Sequence, residues 1–225
     1  MYGVTQLVWR GAVFDFDGVL VDSAEVYRQA LSELVVPVSR SEWPKLYGMT
    51  TVQAVRHATQ ETWSDQQTEE IAARIDRRVA QLLAAAPPAR QGARETLDLL
   101  KQQNLPMAVA SSASRRAIVG TLEALGWRHY FSAVIGREDT SCTKPAPDPY
   151  RAAAHCLELA PGTCFAVEDT DIGIRSAHDA GLFTVALGGT QTVDELRIAD
   201  LYYDDFAGLM QSEWFRTLVQ ENGAG

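Results

Sequence analysis

Beyond residue 88 the sequence alternates short, almost wholly apolar runs with stretches of helical periodicity, and few folds satisfy that alternation. The apolar runs are residues 106–110 (PMAVA), 131–135, 163–167 (TCFAV) and 182–187, with an earlier one at 8–16 (VWRGAVFDF). Each is strand-length. Between them, residues 92–103, 115–125, 148–159 and 171–180 carry helical spacing, with Ser114 as a cap and Gly126 and Gly181 as stops. Strands that alternate with helices form a parallel sheet through right-handed crossovers. Strands without polar alternation suit a sheet covered on both faces. The burial of the first should centre on Ala12, Val13 and Phe14.

The chain from Ser39 to Ala86 follows a different pattern, helical and without a convincing strand. One helix is expected from Thr51. A longer one starts at Ser64 or Asp65, runs through Ile71, Ile75, Val79 and Leu82, and stops at Pro87 and Pro88. Before these, Asp22 and Glu25 read as a capping box for a helix reaching Val35, ended by Pro37. The expected fold is therefore α/β, a doubly wound parallel sheet with a helical unit inserted after the first strand. The sheet domain comprises residues 1–22 and 89–225, and the helical unit residues 23–88.

Composition narrows the function classes. The 225 residues carry a net charge of −9, which opposes a nucleic-acid surface needing a basic stripe but leaves room for a divalent cation. Three cysteines, Cys142, Cys156 and Cys164, fit no zinc spacing and read as reduced thiols. No secretory signal is visible and no run reaches membrane-spanning length. A cytoplasmic monomer without membrane or nucleic-acid partners is expected. Trp43, Trp63 and Trp127 read as packing anchors.

In open α/β sheets, ligands bind beyond the carboxyl ends of the strands. The first strand ends in Asp15-Phe16-Asp17-Gly18, and the second in Ser111. Lys144 follows the third, and the fourth ends in Glu168-Asp169. Singly, each has a bland explanation as turn, cap or solvated charge. Together, in this order at successive strand ends, they converge on one edge of the sheet and argue for a functional site.

These residues resemble the motifs of the haloacid dehalogenase superfamily, in the subgroup with a helical cap after strand one. The segments are Asp15-Phe16-Asp17-Gly18-Val19-Leu20-Val21-Asp22-Ser23, Val109-Ala110-Ser111-Ser112, Lys144-Pro145-Ala146-Pro147-Asp148 and Glu168-Asp169-Thr170-Asp171. Within the superfamily the chain is similar to the β-phosphoglucomutase and phosphoglycolate phosphatase group.

The resemblance implies phosphoryl transfer. Asp15 is the implied nucleophile, forming an aspartyl phosphate, and Asp17 the implied general acid and base. Mg²⁺ is the implied cofactor, held by the Asp15 and Asp169 carboxylates and the Asp17 carbonyl. Glu168 either orients metal-bound water or ligates directly. Lys144, Ser111 and Ser112 would bind the phosphoryl group. The dehalogenases lack an aspartate at the position of Asp17, so its presence favours phosphate substrates. Phosphonate-cleaving relatives use a cap lysine, and the surroundings of Lys45 do not resemble theirs.

Cap residues expected to face the substrate are Glu25, Tyr27, Gly48 and Thr51. β-Phosphoglucomutase carries histidine at the position of Tyr27 and arginine near Thr51, and both are missing here. Arg56 is the only nearby substitute. The reading is therefore hydrolysis of small phosphate monoesters, such as a sugar phosphate or phosphoglycolate. Hexose-phosphate mutase is the alternative, and a non-catalytic binding protein that keeps the fold is the third.

Overall fold

The computed structural model describes residues 9–39, 41–46 and 49–221. Six strands form one all-parallel sheet: β1 (Gly11–Phe14), β2 (Met107–Ala110), β3 (Ala133–Ile135), β4 (Cys164–Glu168), β5 (Phe183–Leu187) and β6 (Leu201–Tyr203). Their order is β3-β2-β1-β4-β5-β6. The chain winds outward from β1 to β3, then returns to the other side of β1 and winds out again. The direction reverses between β1 and β4, and ligand sites form at such a switch point.

The two faces of the sheet are built differently. Val13, Ala108, Ala110 and Ala166 face α6 (Asp148–Cys156) and α7 (Asp171–Ala180). Their small size lets these helices lie close. Phe14, Met107, Val109, Phe165 and Val167 point the other way. There they pack with Leu97 and Leu100 of α4 (Ala93–Gln102) and Ile118 and Leu122 of α5 (Arg115–Ala124). All nine of these strand residues are buried to within 1% of complete, as expected where helices cover both faces.

The segment between β1 and α4 is helical: α1 (Ala24–Leu34), α2 (Thr51–Ala58) and α3 (Asp65–Ala85). The α3 stripe Ile71, Ile75, Val79 and Leu83 repeats every fourth residue and is buried, the period of one helix face. Its partners include Leu31 of α1 and Val55 of α2. Ser64 and Gln67 cap α3, and Thr50 and Gln53 cap α2, each pair in a reciprocal capping box. The two chain crossings into this unit run side by side. Asp22 N–H donates to the Pro88 carbonyl at 2.8 Å, Arg90 N–H donates to Leu20 O at 3.0 Å, and Val21 bridges Ala89. Helix α3 also packs along α5 of the sheet domain.

Several expectations are corrected. The capping box of Asp22 and Glu25 does not form. Ser23 precedes α1 with helical backbone angles and no side-chain cap, while Glu25 bonds Arg28. Trp63 is exposed rather than an anchor, whereas Trp127 is buried. The last strand and helices, β6, α8 (Val193–Leu196), α9 (Phe206–Gln211) and α10 (Glu213–Glu221), were not anticipated. Among the described residues, no helix is long and apolar enough to cross a membrane.

Candidate active site

Register brings the chemistry together. Phe14 pairs with Val109 on one side and Val167 on the other. One residue on, Asp15 donates its N–H to Val167 O at 2.9 Å and stands level with Glu168. Ser111 and Asp169 each leave their strand at the same height. Asp15, Ser111 and Asp169 open on a cavity of about 810 Å³ between the strand ends and the inserted helices.

Lys144 is the hub. Its Nζ lies 2.6 Å from Asp15 Oδ1 and 2.5 Å from Glu168 Oε1, and donates to Tyr150 Oη at 3.2 Å. Burial pulls its pKa down, but Asp15 and Glu168 more than reverse this and hold it above the ordinary lysine value. It is therefore charged at any pH the protein meets.

Glu168 is fully engaged. Its Oε1 accepts from Lys144 and from Tyr150 Oη at 2.7 Å. Its Oε2 accepts from the Asp169 N–H at 3.0 Å and from Thr170. The space it occupies depends on Gly173, where a Cβ would sit 2.0 Å from Glu168 Oε1.

Asp169 differs. Its Oδ2 accepts from Thr190, but its Oδ1 is buried without a partner. Asp17 Oδ1 is buried and unpartnered too. Burial pushes Asp169 up to about 7, with Glu168 adding to the effect, and burial pushes Asp17 up to about 6. Burial also raises Asp15 well above the usual carboxylate range, opposed by Lys144. Gly18 makes this arrangement possible. Its φ is +81°, a region glycine adopts without strain, and a Cβ there would lie 1.8 Å from Asp169 Oδ2.

Oxygen atoms of Asp15, Glu168 and Asp169 lie within 4.8 Å of one another, all buried. Buried carboxylates are costly unless paired or bound to a cation. Two orphaned oxygens beside a three-carboxylate cluster therefore fit a bound metal ion, and the hard oxygen donors suit Mg²⁺ or Ca²⁺.

Of the other expected residues, Ser111 is buried and its Oγ accepts from Ala113 N–H at 3.1 Å. Ser112, Tyr27 and Thr51 line the cavity. Glu25 does not: it is exposed and held by Arg28. Arg56 is exposed and bonds Asp65 at 2.7 Å, outside the cavity wall. Gly48 lies outside the described residues.

Sequence reading missed four participants. Tyr150 buttresses Glu168 and Lys144. Arg90 donates to the carbonyls of Gly18 and Gly188, joining the loop after β1 to that after β5. Arg137 and Asp76 meet across the cavity, from the turn after β3 and from α3, at 2.5 Å. Asp76 had one signal, a carboxylate next to the buried stripe position Ile75.

The family model of haloacid dehalogenase-like hydrolases matches residues 12–187, which hold every strand-end residue above. The chain belongs to the haloacid dehalogenase-like hydrolase family. Among relatives of this haloacid dehalogenase-like enzyme is the chloroplastic 5-amino-6-(5-phospho-D-ribitylamino)uracil phosphatase of Arabidopsis thaliana. It is 27% identical over 86% of this chain, and the chain spans 53% of that protein's length. β-Phosphoglucomutase of Bacillus subtilis is 24% identical over 95% of this chain and 99% of its own. The structure of CbbY from Rhodobacter sphaeroides in complex with phosphate superposes with a TM-score of 0.79 at 25% identity, covering 89% of this chain and 96% of that one.

Proposed function

We propose that this protein is a Mg²⁺-dependent phosphatase for small phosphate monoesters, working through an aspartyl phosphate on Asp15. The observation that carries this reading is the pairing of Asp15 with Lys144 at 2.6 Å, with the half-buried Asp17 two residues on.

Lys144 fixes Asp15 Oδ1, so Oδ2 is the oxygen left to attack phosphorus. The Lys144 charge lowers the repulsion between that carboxylate and the phosphoryl group. Asp17, with its pKa raised to about 6, keeps a protonated fraction near neutrality and gives its proton to the departing alkoxide. In the second half, Asp17 takes a proton from the water that attacks the aspartyl phosphate, and Asp15 is released. Such acid–base help contributes about 10²- to 10⁴-fold. Ser111 Oγ is held by Ala113 N–H and donates its own proton to a phosphoryl oxygen. The metal would be held by the Asp15 and Asp169 carboxylates and the Asp17 carbonyl, and would supply positive charge against the phosphoryl oxygens. Glu168, with both oxygens engaged, orients the lysine.

Residues 23–88 act as a cap that closes the cavity from solvent. A mutase must also hold a second phosphate away from Asp15, and Arg56, the candidate for it, is bonded to Asp65 outside the wall. That favours hydrolysis.

The test is phosphate release from a panel of phosphate esters, with Mg²⁺ or with chelator, by wild type and Asp15→Asn. Release should require both Mg²⁺ and Asp15. Release that persists in Asp15→Asn, or isomerisation of a sugar phosphate without release, would contradict the reading.

A further inference from the structure

The cavity wall is strongly acidic. Seven carboxylates line it against three cations, Arg90, Arg137 and Lys144. All three are already engaged. Lys144 holds Asp15 and Glu168, Arg90 holds two backbone carbonyls, and Arg137 holds Asp76. Among the described residues, none lining the cavity offers a cation to a second anionic group.

The Asp76–Arg137 pair is built as a polar reader. Asp76 Oδ2 meets Arg137 Nη1 at 2.5 Å, and its Oδ1 accepts from Thr51 Oγ1 at 2.7 Å. The Asp76 side chain is only 14% exposed, whereas Arg137 keeps 37% of its surface. Tyr27 lines the same cavity, close enough that Asp17, Asp76 and Arg137 all act on its phenol electrostatically. Acceptor, donors and hydroxyls thus stand together on the side of the cavity facing the inserted helices, within the field of Asp17. Asp15 and Asp17 line the same cavity, so a leaving group departing from phosphorus on Asp15 would have this wall before it.

We infer that Asp76, Arg137, Thr51 and Tyr27 select a neutral polyhydroxylated leaving group, a polyol or sugar, and disfavour one bearing a second phosphate or a carboxylate. The inference rests on the phosphatase reading above and names its substrate class. A carboxylate accepts from adjacent hydroxyls while a guanidinium donates to them, so a diol inserts without separating the pair. An anionic group must instead compete with Asp76 and Glu138 for Arg137 and approach the half-buried Asp76 carboxylate, which would keep only the Thr51 hydroxyl if Arg137 turned away. Sites that satisfy polar groups through a substrate's hydroxyls discriminate strongly against substrates that lack them.

The experiment compares kcat/KM at saturating Mg²⁺ for sorbitol 6-phosphate, fructose 1,6-bisphosphate, phosphoglycolate and p-nitrophenyl phosphate. The enzymes are wild type, Asp76→Asn and Arg137→Gln. Wild type should prefer the hexitol phosphate to the bisphosphate and phosphoglycolate by at least about tenfold. Both variants should lower kcat/KM for the hexitol phosphate by about tenfold or more, mainly through KM, with p-nitrophenyl phosphate changed by less than about threefold. Asp76→Asn, which frees Arg137, should also raise relative activity on the bisphosphate, a gain that misfolding cannot produce. A wild-type preference for the anionic substrates, or equal losses on hexitol and p-nitrophenyl phosphate, overturns the polyol reading alone. Failure of wild type to hydrolyse any of the four overturns it together with the phosphatase reading.

Discussion

Glu168 and Asp169 are neighbours with opposite fates. Glu168 spends both oxygens on Lys144, Tyr150 and backbone donors, while Asp169 keeps one buried oxygen free. Removing the Tyr150 hydroxyl leaves Glu168 Oε1 with one donor fewer. Tyr150→Phe should therefore destabilise the protein by about 1–3 kcal/mol, read as a shift in chemical denaturation midpoint. Gly173→Ala would drive a methyl into the Glu168 carboxylate. It should cut kcat by at least about tenfold through misplaced charge, with a lower melting temperature. The raised carboxylates also set a pH dependence. Asp169 and Asp17 bind protons more tightly in the folded chain, at about 7 and about 6, than at their ordinary value of 3.8. Their contribution to stability is complete below about pH 4 and lost as pH rises through 6 to 7. Metal-free protein should thus melt at lower temperature at pH 8 than at pH 5.5. Mg²⁺ should raise the melting temperature more at pH 8. An unchanged melting temperature across that range would refute the assignment.

At the scale of elements, what the sequence disclosed was local. Buried strands of three to five apolar residues are visible because both faces are covered, and α3 is visible because Ile71, Ile75 and Val79 share one face. Strand β6 was hidden because Leu201–Tyr203 is short, half-exposed and at the sheet edge. The start of α1 was misjudged because Glu25 had a competing partner, Arg28, one helical turn on. Caps that did form can be tested. Ser64→Ala removes the acceptor for Gln67 N–H and should cost about 1 kcal/mol of stability. Its kcat should stay at the wild-type value, since Ser64 lies outside the cavity wall.

Across the whole molecule, the site is assembled from pairs far apart in sequence. Asp15, Ser111, Lys144, Glu168 and Asp169 were legible because each follows a recognisable strand in a recognisable motif. Arg90, Tyr150 and the Asp76–Arg137 contact were not, because their partners are fixed only when the sheet is wound and α3 comes to rest along α5. The same docking places Tyr27, Thr51 and Asp76 opposite the strand ends across the cavity. On the proposed mechanism Asp15 carries the phosphoryl group. The most direct test is acid quench during turnover of a hydrolysed ester with Mg²⁺, followed by peptide mass spectrometry. A phosphoryl group is expected on the peptide containing Asp15, removed by hydroxylamine and absent from Asp15→Asn. Turnover that leaves Asp15 unmodified, or a phosphoryl group found on another residue such as Ser111, would contradict the mechanism.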